Sequence, residues 1–243
     1  MKTHMLQVSD VLVVIPAFNE SKSIGQVLDQ ISSHGFQTLV VNDGSIDATA
    51  DIARQRGSRV VSLSLNSGVG GALRCGFRYA AENGFTAVIQ CDADGQHLPN
   101  HLVDLLNAMN QTDAHMVIGS RFGSISTTHD PSLIRRFAMW ALAKVAQRAT
   151  KHKITDSTSG FRLIRQPLLG ELAENLPAYY LGDTFETVVV AGRAGYHIEE
   201  ISVAMAPRVS GQSSASSARS IMLIGKALTT VLLGIHFRIR RLK

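Results

Sequence analysis

Val88–His97 reads Val-Ile-Gln-Cys-Asp-Ala-Asp-Gly-Gln-His. Ala87, Val88 and Ile89 suit a buried strand, and the run ends on Asp92 and Asp94, with Gly95 breaking it. In an open α/β sheet, ligands bind beyond the carboxyl ends of the strands, where this acid pair would sit. On an extended backbone, side chains two apart share a face, so Asp92 and Asp94 are expected to approach one ion. Gln96 continues the alternation, and His97 follows it. A hard divalent cation that bridges a diphosphate takes one or two carboxylates. The same letters also spell an Asp- and Gly-rich turn, so Asp-x-Asp alone does not decide the chemistry. The flanking sequence must do so.

Working outward, strands and helices alternate. Val11–Ile15 is a β-branched, apolar run expected to stop at Pro16. Ile24, Val27, Leu28 and Ile31 recur at helical spacing after Asn19-Glu20-Ser21, and His34-Gly35 closes the helix. Thr38–Val41 reads as a second strand, Asp47–Arg56 as a short helix and Val60–Leu65 as a third strand. Asn66-Ser67-Gly68-Val69-Gly70-Gly71-Ala72 leads into a helix. Glycines there either admit an anion at the helix N-terminus or let helix and sheet pack closely. The segment fits neither the P-loop, lacking Gly-Lys-Ser/Thr, nor the dinucleotide fingerprint, with Leu73 at its third glycine.

Beyond the acid pair, Leu98–Met109 is helical and Met116–Ile118 is a strand ending in Gly119-Ser120-Arg121. Ser132–Thr150 is a helix with a basic face (Arg135, Arg136, Lys144, Arg148) and an apolar face (Leu133, Phe137, Ala141, Val145), with Trp140 placed for a membrane interface if the helix lies on one. Asp156–Arg162 is a polar turn entering the strand Phe161–Ile164. A helix starts at Asp183 and carries Glu186, and Tyr196–Val203 is a last strand. This order predicts an α/β fold with a Rossmann-like, mostly parallel sheet flanked by helices. Four strands end in polar clusters, Pro16–Glu20, Asn42–Ser45, Gln90–Gln96 and Gly119–Arg121, which are expected to converge on one sheet edge.

The 243 residues are 45% hydrophobic and 18% charged, a globular balance with enough apolar side chains for a large core. Met1–Asp10 holds no apolar signal, and two cysteines form neither a metal-ligand spacing nor a disulfide framework, so a cytoplasmic protein is expected. The net charge of +5 is unevenly spread. Residues 201–243 carry seven basic side chains and no acid, whereas the first 200 carry 17 basic and 19 acidic. A slightly acidic body without a basic-aromatic platform argues against nucleic acid, and the basic end argues for an anionic partner. Val209–Ser220 reads as a Ser/Gly-rich lid between Arg208 and Arg219. Residues 219–243, apolar then polybasic, are expected to form a basic amphipathic helix that either anchors the 1–218 domain peripherally on the cytoplasmic face of a membrane or packs on the core.

Six segments in order resemble one family: Val14-Ile15-Pro16-Ala17-Phe18-Asn19-Glu20, Val41-Asn42-Asp43-Gly44-Ser45, Asn66–Gly76, Asp92–His97, Gly119-Ser120-Arg121 and Ser159-Gly160-Phe161-Arg162. Over residues 11–215 the chain looks like an inverting nucleotide-sugar glycosyltransferase of the GT-A fold, in the branch of dolichyl-phosphate mannose synthase and other polyprenyl-phosphate glycosyltransferases. The resemblance implies that Pro16, Ala17, Glu20 and Asp43 hold the donor nucleoside. It implies that Asp92, Ala93, Asp94 and Gln96 form the nucleotide-sugar and metal site, with Mg²⁺ or Mn²⁺ as cofactor. Arg121, Arg135 and Arg162 would receive the acceptor phosphate, Arg208 would close on the donor diphosphate, and Asp94, Asp156 and Arg208 would carry the catalysis. Val69 stands where a lysine is common and Met139 where a small hydroxyl residue is expected, and a compact, peripheral enzyme without the membrane domain of many relatives is expected.

The expected partners are therefore a nucleoside-diphosphate sugar and a polyprenyl phosphate. A phosphate acceptor is already ionised near neutral pH, with a second pKa of about 6, and needs arginines to place it. A hydroxyl acceptor on a glycan or glycolipid, the alternative, needs a general base, for which Asp156, Asp183 and Glu186 are the candidates. A module that binds nucleotide or membrane without catalysis is the third reading.

Overall fold

The computed structural model describes residues 5–121, 133–177, 183–206 and 237–242. Among them seven strands, β1 (Val11–Ala17), β2 (Gln37–Asn42), β3 (Arg59–Ser62), β4 (Ala87–Gln90), β5 (Met116–Ser120), β6 (Arg162–Arg165) and β7 (Ile198–Ser202), form one sheet in the order β3-β2-β1-β4-β6-β5-β7. Every pairing is parallel except those of β6, which runs antiparallel between β4 and β5. The helices are α1 (Ile24–Ser32), α2 (Thr49–Gln55), α3 (Gly68–Glu82), α4 (Asn100–Thr112), α5 (Leu133–Thr150), α6 (Leu168–Asn175) and α7 (Asp183–Arg193).

Alternation along the strands divides the apolar side chains between two cores. Leu12 and Val14 of β1 face one core with α3, α5, α6 and α7, and Val11, Val13 and Ile15 face the other with α1, α2 and α4. All five are fully buried, each stabilising the fold by about 1.5–3 kcal/mol. The result is three layers. Gly76 brings α3 against β1, since a Cβ there would lie 2.3 Å from Val14 Cγ1. The close packing considered for the glycine segment thus falls on Gly76, within α3.

Several boundaries differ from expectation. β1 does not stop at Pro16 but runs to Ala17. The nitrogen of Pro16 faces the side of β4, whose pairing with β1 ends at Val14–Gln90, so no ladder bond is lost there. β3 is shorter than expected, ending at Ser62 on the sheet edge, and α6, only eight residues long, was too short for its period to stand out. Among the described side chains of α5, which exclude Leu133 and Phe137, Leu142 and Ala146 are fully buried, one residue on from Ala141 and Val145, and α5 packs largely against α7.

The basic amphipathic helix expected over 219–243 lies outside the described residues except at 237–242, and those six are not helical. Phe237 and Ile239 instead pack against the core under α6 and α7. Backbone donors fix the stretch: Phe237 N to Glu186 Oε1 (3.2 Å), Arg240 N to Glu171 Oε2 (2.8 Å) and Leu242 N to Ala194 O (2.9 Å). Among the described residues, no helix is long and apolar enough to cross a membrane.

Candidate active site

Because β1, β2, β4 and β5 run the same way, their carboxyl ends share one edge, as the four polar clusters predict. β6 starts at this edge, with Arg162 opposite Gln90 and Ile118, so the 156–161 segment arrives there too.

On the β1–β2 side the loops are tied to one another. Asn19, at φ 57°, donates its N–H to Ser45 Oγ (2.9 Å) and accepts from Ile46 N at Oδ1 (3.0 Å). Ala17 is buried, and Glu20 accepts from Ser23 Oγ at 2.9 Å while its N–H goes to Thr49 Oγ1. Asp43 is buried and holds the entrance to α3: Ser67 N and Oγ donate to one oxygen (2.7 and 2.8 Å), Gly68 N to the other (2.8 Å). Gly44, at φ +73°, lets this loop close on the next, since a Cβ would lie 2.8 Å from Asn66 N. Pro16, Ala17 and Glu20 thus lie at the end of β1, and Asp43, its N–H bonded to Ala17 O at 2.9 Å, braces the entrance to α3 beside them.

The acid pair sits on a turn rather than on the expected extended strand. β4 ends at Gln90, Gly95 takes φ 78°, and Asp94 Oδ1 accepts from Gln96 N two residues on (3.0 Å). Asp92 is the open member, its side chain 41% exposed, while Ala93 and Asp94 are buried. Gly160 faces the Asp92 carboxylate, both of whose oxygens would lie 3.5 Å from a Cβ there. Gln96 anchors the turn from the other side, its carbonyl accepting from Ala206 N at 2.9 Å. Two carboxylates and a side-chain amide are hard oxygen donors, a set whose chemistry suits Mg²⁺ or Mn²⁺.

His97 supports this turn, a role missed from sequence although the residue adjoins the motif. Its Nδ1 accepts from Asp92 N (3.1 Å), its Nε2 lies 3.8 Å from Asp92 Oδ2, and its ring stacks on Phe161 at 4.6 Å. Burial pulls its pKa below the usual histidine range, only partly offset by Asp92 and Asp94. The neutral ring then carries its proton on Nε2, toward Asp92.

Next to the turn, Asp156 and Arg121 form a bidentate pair. Arg121 Nε and Nη2 donate to the two carboxylate oxygens at 2.7 and 2.8 Å, and Arg121 N adds a third bond at 3.2 Å. Asp156 is fully buried, while the Arg121 side chain is 39% exposed. Burial pushes the Asp156 carboxyl up, but the bonds and charge of Arg121 outweigh it and hold the group below the ordinary range. Glu200 on β7, also missed, carries the loop beneath: its carboxylate accepts from Thr155 N (2.7 Å) and Asp156 N (2.8 Å). Its signal, one acid beside Glu199 on an edge strand, reads from sequence as solvated surface.

Arg162, expected to receive an acceptor phosphate, turns its guanidinium onto the chain's own carbonyls. The residue is 1% exposed, and its guanidinium donates to the carbonyls of Ser159 (2.7 Å), Ser157 (2.8 Å) and Thr184 (2.7 Å). β6 is flanked on both sides, and the parity that sends Ile164 into the α7-side core sends Arg162 there too. Among the base candidates, Glu186 is buried and accepts from Phe237 N. Arg208 lies outside the described residues, and so do the side chains of Arg135 and Asp183. The last described residue before Arg208 is Ala206, hydrogen-bonded to the acid turn.

Comparison with known proteins accords with this geometry. The family model described as Glycosyl transferase family 2 matches residues 12–173. The chain is 29% identical over 231 residues to undecaprenyl-phosphate mannosyltransferase of Micrococcus luteus, covering 91% of this chain and 92% of that one. It is 26% identical over 211 residues to the UDP-N-acetylglucosamine–dolichyl-phosphate N-acetylglucosaminyltransferase of Methanococcus voltae, covering 79% and 84%. Its fold resembles glucosyl-3-phosphoglycerate synthase of Mycobacterium tuberculosis, solved with Mn²⁺, UDP and phosphoglyceric acid, at TM-score 0.69 and 22% identity over 92% of this chain and 77% of that one. The chain belongs to glycosyl transferase family 2 and is a glycosyltransferase of the GT-A fold.

Proposed function

We propose that the protein transfers a sugar from a nucleoside-diphosphate donor to a polyprenyl phosphate, with inversion and with a divalent cation at the acid turn. The observation that carries the reading is the Arg121–Asp156 pair. It places a part-exposed guanidinium beside the acid turn, while the carboxylate that would serve a hydroxyl acceptor is fully buried and bound to that guanidinium. Glu186, the other described base candidate, is buried against Phe237. A phosphate acceptor needs no base, only a cation to place it. The two relatives above carry different sugars in their names but share a polyprenyl-type phosphate, which supports the acceptor class and leaves the sugar open.

Each residue then has a task. Pro16, Ala17, Glu20 and Asp43 receive the nucleoside. Asp92, Asp94 and Gln96 would hold Mg²⁺ or Mn²⁺, which supplies charge stabilisation for the departing nucleoside diphosphate. His97 keeps Asp92 aimed. Arg121, held by Asp156, orients the acceptor phosphate toward the anomeric carbon. Arg135 is assigned to the same phosphate and Arg208 to the donor diphosphate. Each well-placed donor in such a closed site lowers the barrier by about 2.7–4 kcal/mol. Arg162 keeps the Ser157–Ser159 turn in place from below.

Membrane contact belongs to the same reading. Trp140, Lys144 and Arg148 are exposed on α5, and Arg238, Arg240 and Arg241 are exposed at the end of the chain, which packs on the same side of the sheet. An anionic, cytoplasm-facing leaflet suits that surface.

The test is incubation with a panel of nucleotide-sugars, Mn²⁺ or Mg²⁺, and either polyprenyl phosphate or free polyprenol, reading the lipid by mass. The expected product is a glycosylated polyprenyl phosphate. Transfer to the alcohol alone would favour the hydroxyl-acceptor reading.

A further inference from the structure

At the opposite end of β7 from the acid turn, two imidazoles converge on one carboxylate. His197, just before β7, places Nε2 2.8 Å from Glu199 Oε1, and His152, just after α5, places Nδ1 3.8 Å from the same oxygen. The two rings lie against each other, centroids 4.5 Å apart, which keeps both on the Glu199 side. The three ligand atoms lie within 4.8 Å of one another, and all three side chains are partly exposed. A third imidazole steadies the base of the group: His115 Nδ1 accepts from His197 N (3.2 Å), and His197 O accepts from His115 N (2.8 Å).

We propose that His152, His197 and Glu199 bind a late first-row divalent cation of the zinc class, independently of the glycosyl-transfer site. Two nitrogens and one oxygen form the donor set that zinc takes with three protein ligands and an open fourth position. Bonds of 2.0–2.1 Å in a tetrahedron imply ligand–ligand edges of about 3.3 Å, and the two observed edges, 2.8 and 3.8 Å, bracket that value. The chemistry differs from the acid turn, whose hard oxygen donors suit Mg²⁺ or Mn²⁺. The site also has a structural consequence. Glu200 already ties Thr155 and Asp156 to β7, so a cation on Glu199 would tie the other end of the same loop, at His152, to the same strand. It would clip the loop that ends on Asp156.

The experiment is a Co²⁺ titration of the tag-free full chain, repeated in the Asp92→Asn/Asp94→Asn background so that the acid turn does not compete. One equivalent is expected to give the intense visible bands of four-coordinate Co²⁺, chased by Zn²⁺, lost in His152→Ala/His197→Ala and weakened in Glu199→Gln. Saturating Zn²⁺ is expected to raise Tm by roughly 5 °C or more. Absence of such bands, or bands that survive the double histidine change, would overturn the proposal. Diethyl pyrocarbonate mapping on the unmutated chain gives a second readout that needs no variant. Zn²⁺ is expected to shield His152 and His197, and unchanged modification of both would count against the site.

Discussion

Replacing Asp156 by asparagine keeps the side chain's shape and removes its charge, which separates a positioning role from a general base. The structure gives the magnitude. Asp156 is fully buried and receives three bonds from Arg121, two of them charge-assisted at 2.7 and 2.8 Å. Removing one partner of a buried pair costs about 3–5 kcal/mol. Because the Arg121 side chain is 39% exposed, water recovers part of this, leaving about 2–3 kcal/mol. Expressed at the reacting centre, that is a fall of roughly 30–150-fold in kcat/KM for the phosphate acceptor. The assay is steady-state transfer to polyprenyl phosphate across pH, with urea unfolding alongside. Positioning predicts a lowered rate with an unchanged pH profile, a similar loss in Arg121→Lys, and little further loss in the double variant. Full activity in Asp156→Asn, or loss of the acid limb of the profile with Arg121→Lys unaffected, would refute the assignment.

His97→Ala removes the acceptor of Asp92 N and the ring on Phe161, so Mn²⁺ affinity measured by titration is expected to weaken by about 10–100-fold. The same histidine sets a pH dependence: its folded pKa lies below the unfolded value of about 6.5, so the unfolded chain binds the proton more readily. Stability is therefore expected to be unaffected by this group above about pH 6.5 and to fall below it, until the folded pKa is passed. Urea midpoints at pH 7.5 and 5.5 check this, and His97→Asn should flatten that segment of the curve. Arg162→Met leaves three carbonyls without their cation and is expected to cost about 3–5 kcal/mol of stability in urea; a stable variant with only a raised acceptor KM would restore Arg162 as a phosphate ligand. Gly76→Ala drives a methyl into Val14 and is expected to destabilise by about 1–3 kcal/mol in the same measurement.

How far these features can be read from sequence depends on whether they are local. The hydrophobic runs of β1, β2 and β4 and the spacing of α1 are local patterns, and parallel pairing then brings the polar strand ends to one edge. The reversal of β6 is not local, because nothing within Arg162–Arg165 shows that the strand enters between β4 and β5. That reversal decides where Arg162 points, so an arginine in a family motif reads as a ligand while the fold makes it a brace. The acid pair is legible in its letters but not in its shape: Gly95 bends the chain into a turn that buries Asp94 and opens Asp92. Glu200 joins Asp156 across 44 residues, a separation that no motif spans.

In the proposed reaction the acid turn holds a cation on the donor diphosphate while Arg121 presents a phosphate acceptor. The most direct measurement is the rate of nucleoside-diphosphate release, with polyprenyl phosphate and Mn²⁺, for the unmutated chain and for Asp92→Asn/Asp94→Asn. Release is expected to need both the lipid phosphate and the metal, to stop with a chelator and to fall by several orders of magnitude in the double variant. Full turnover in that variant with every divalent ion chelated would contradict the proposed reaction.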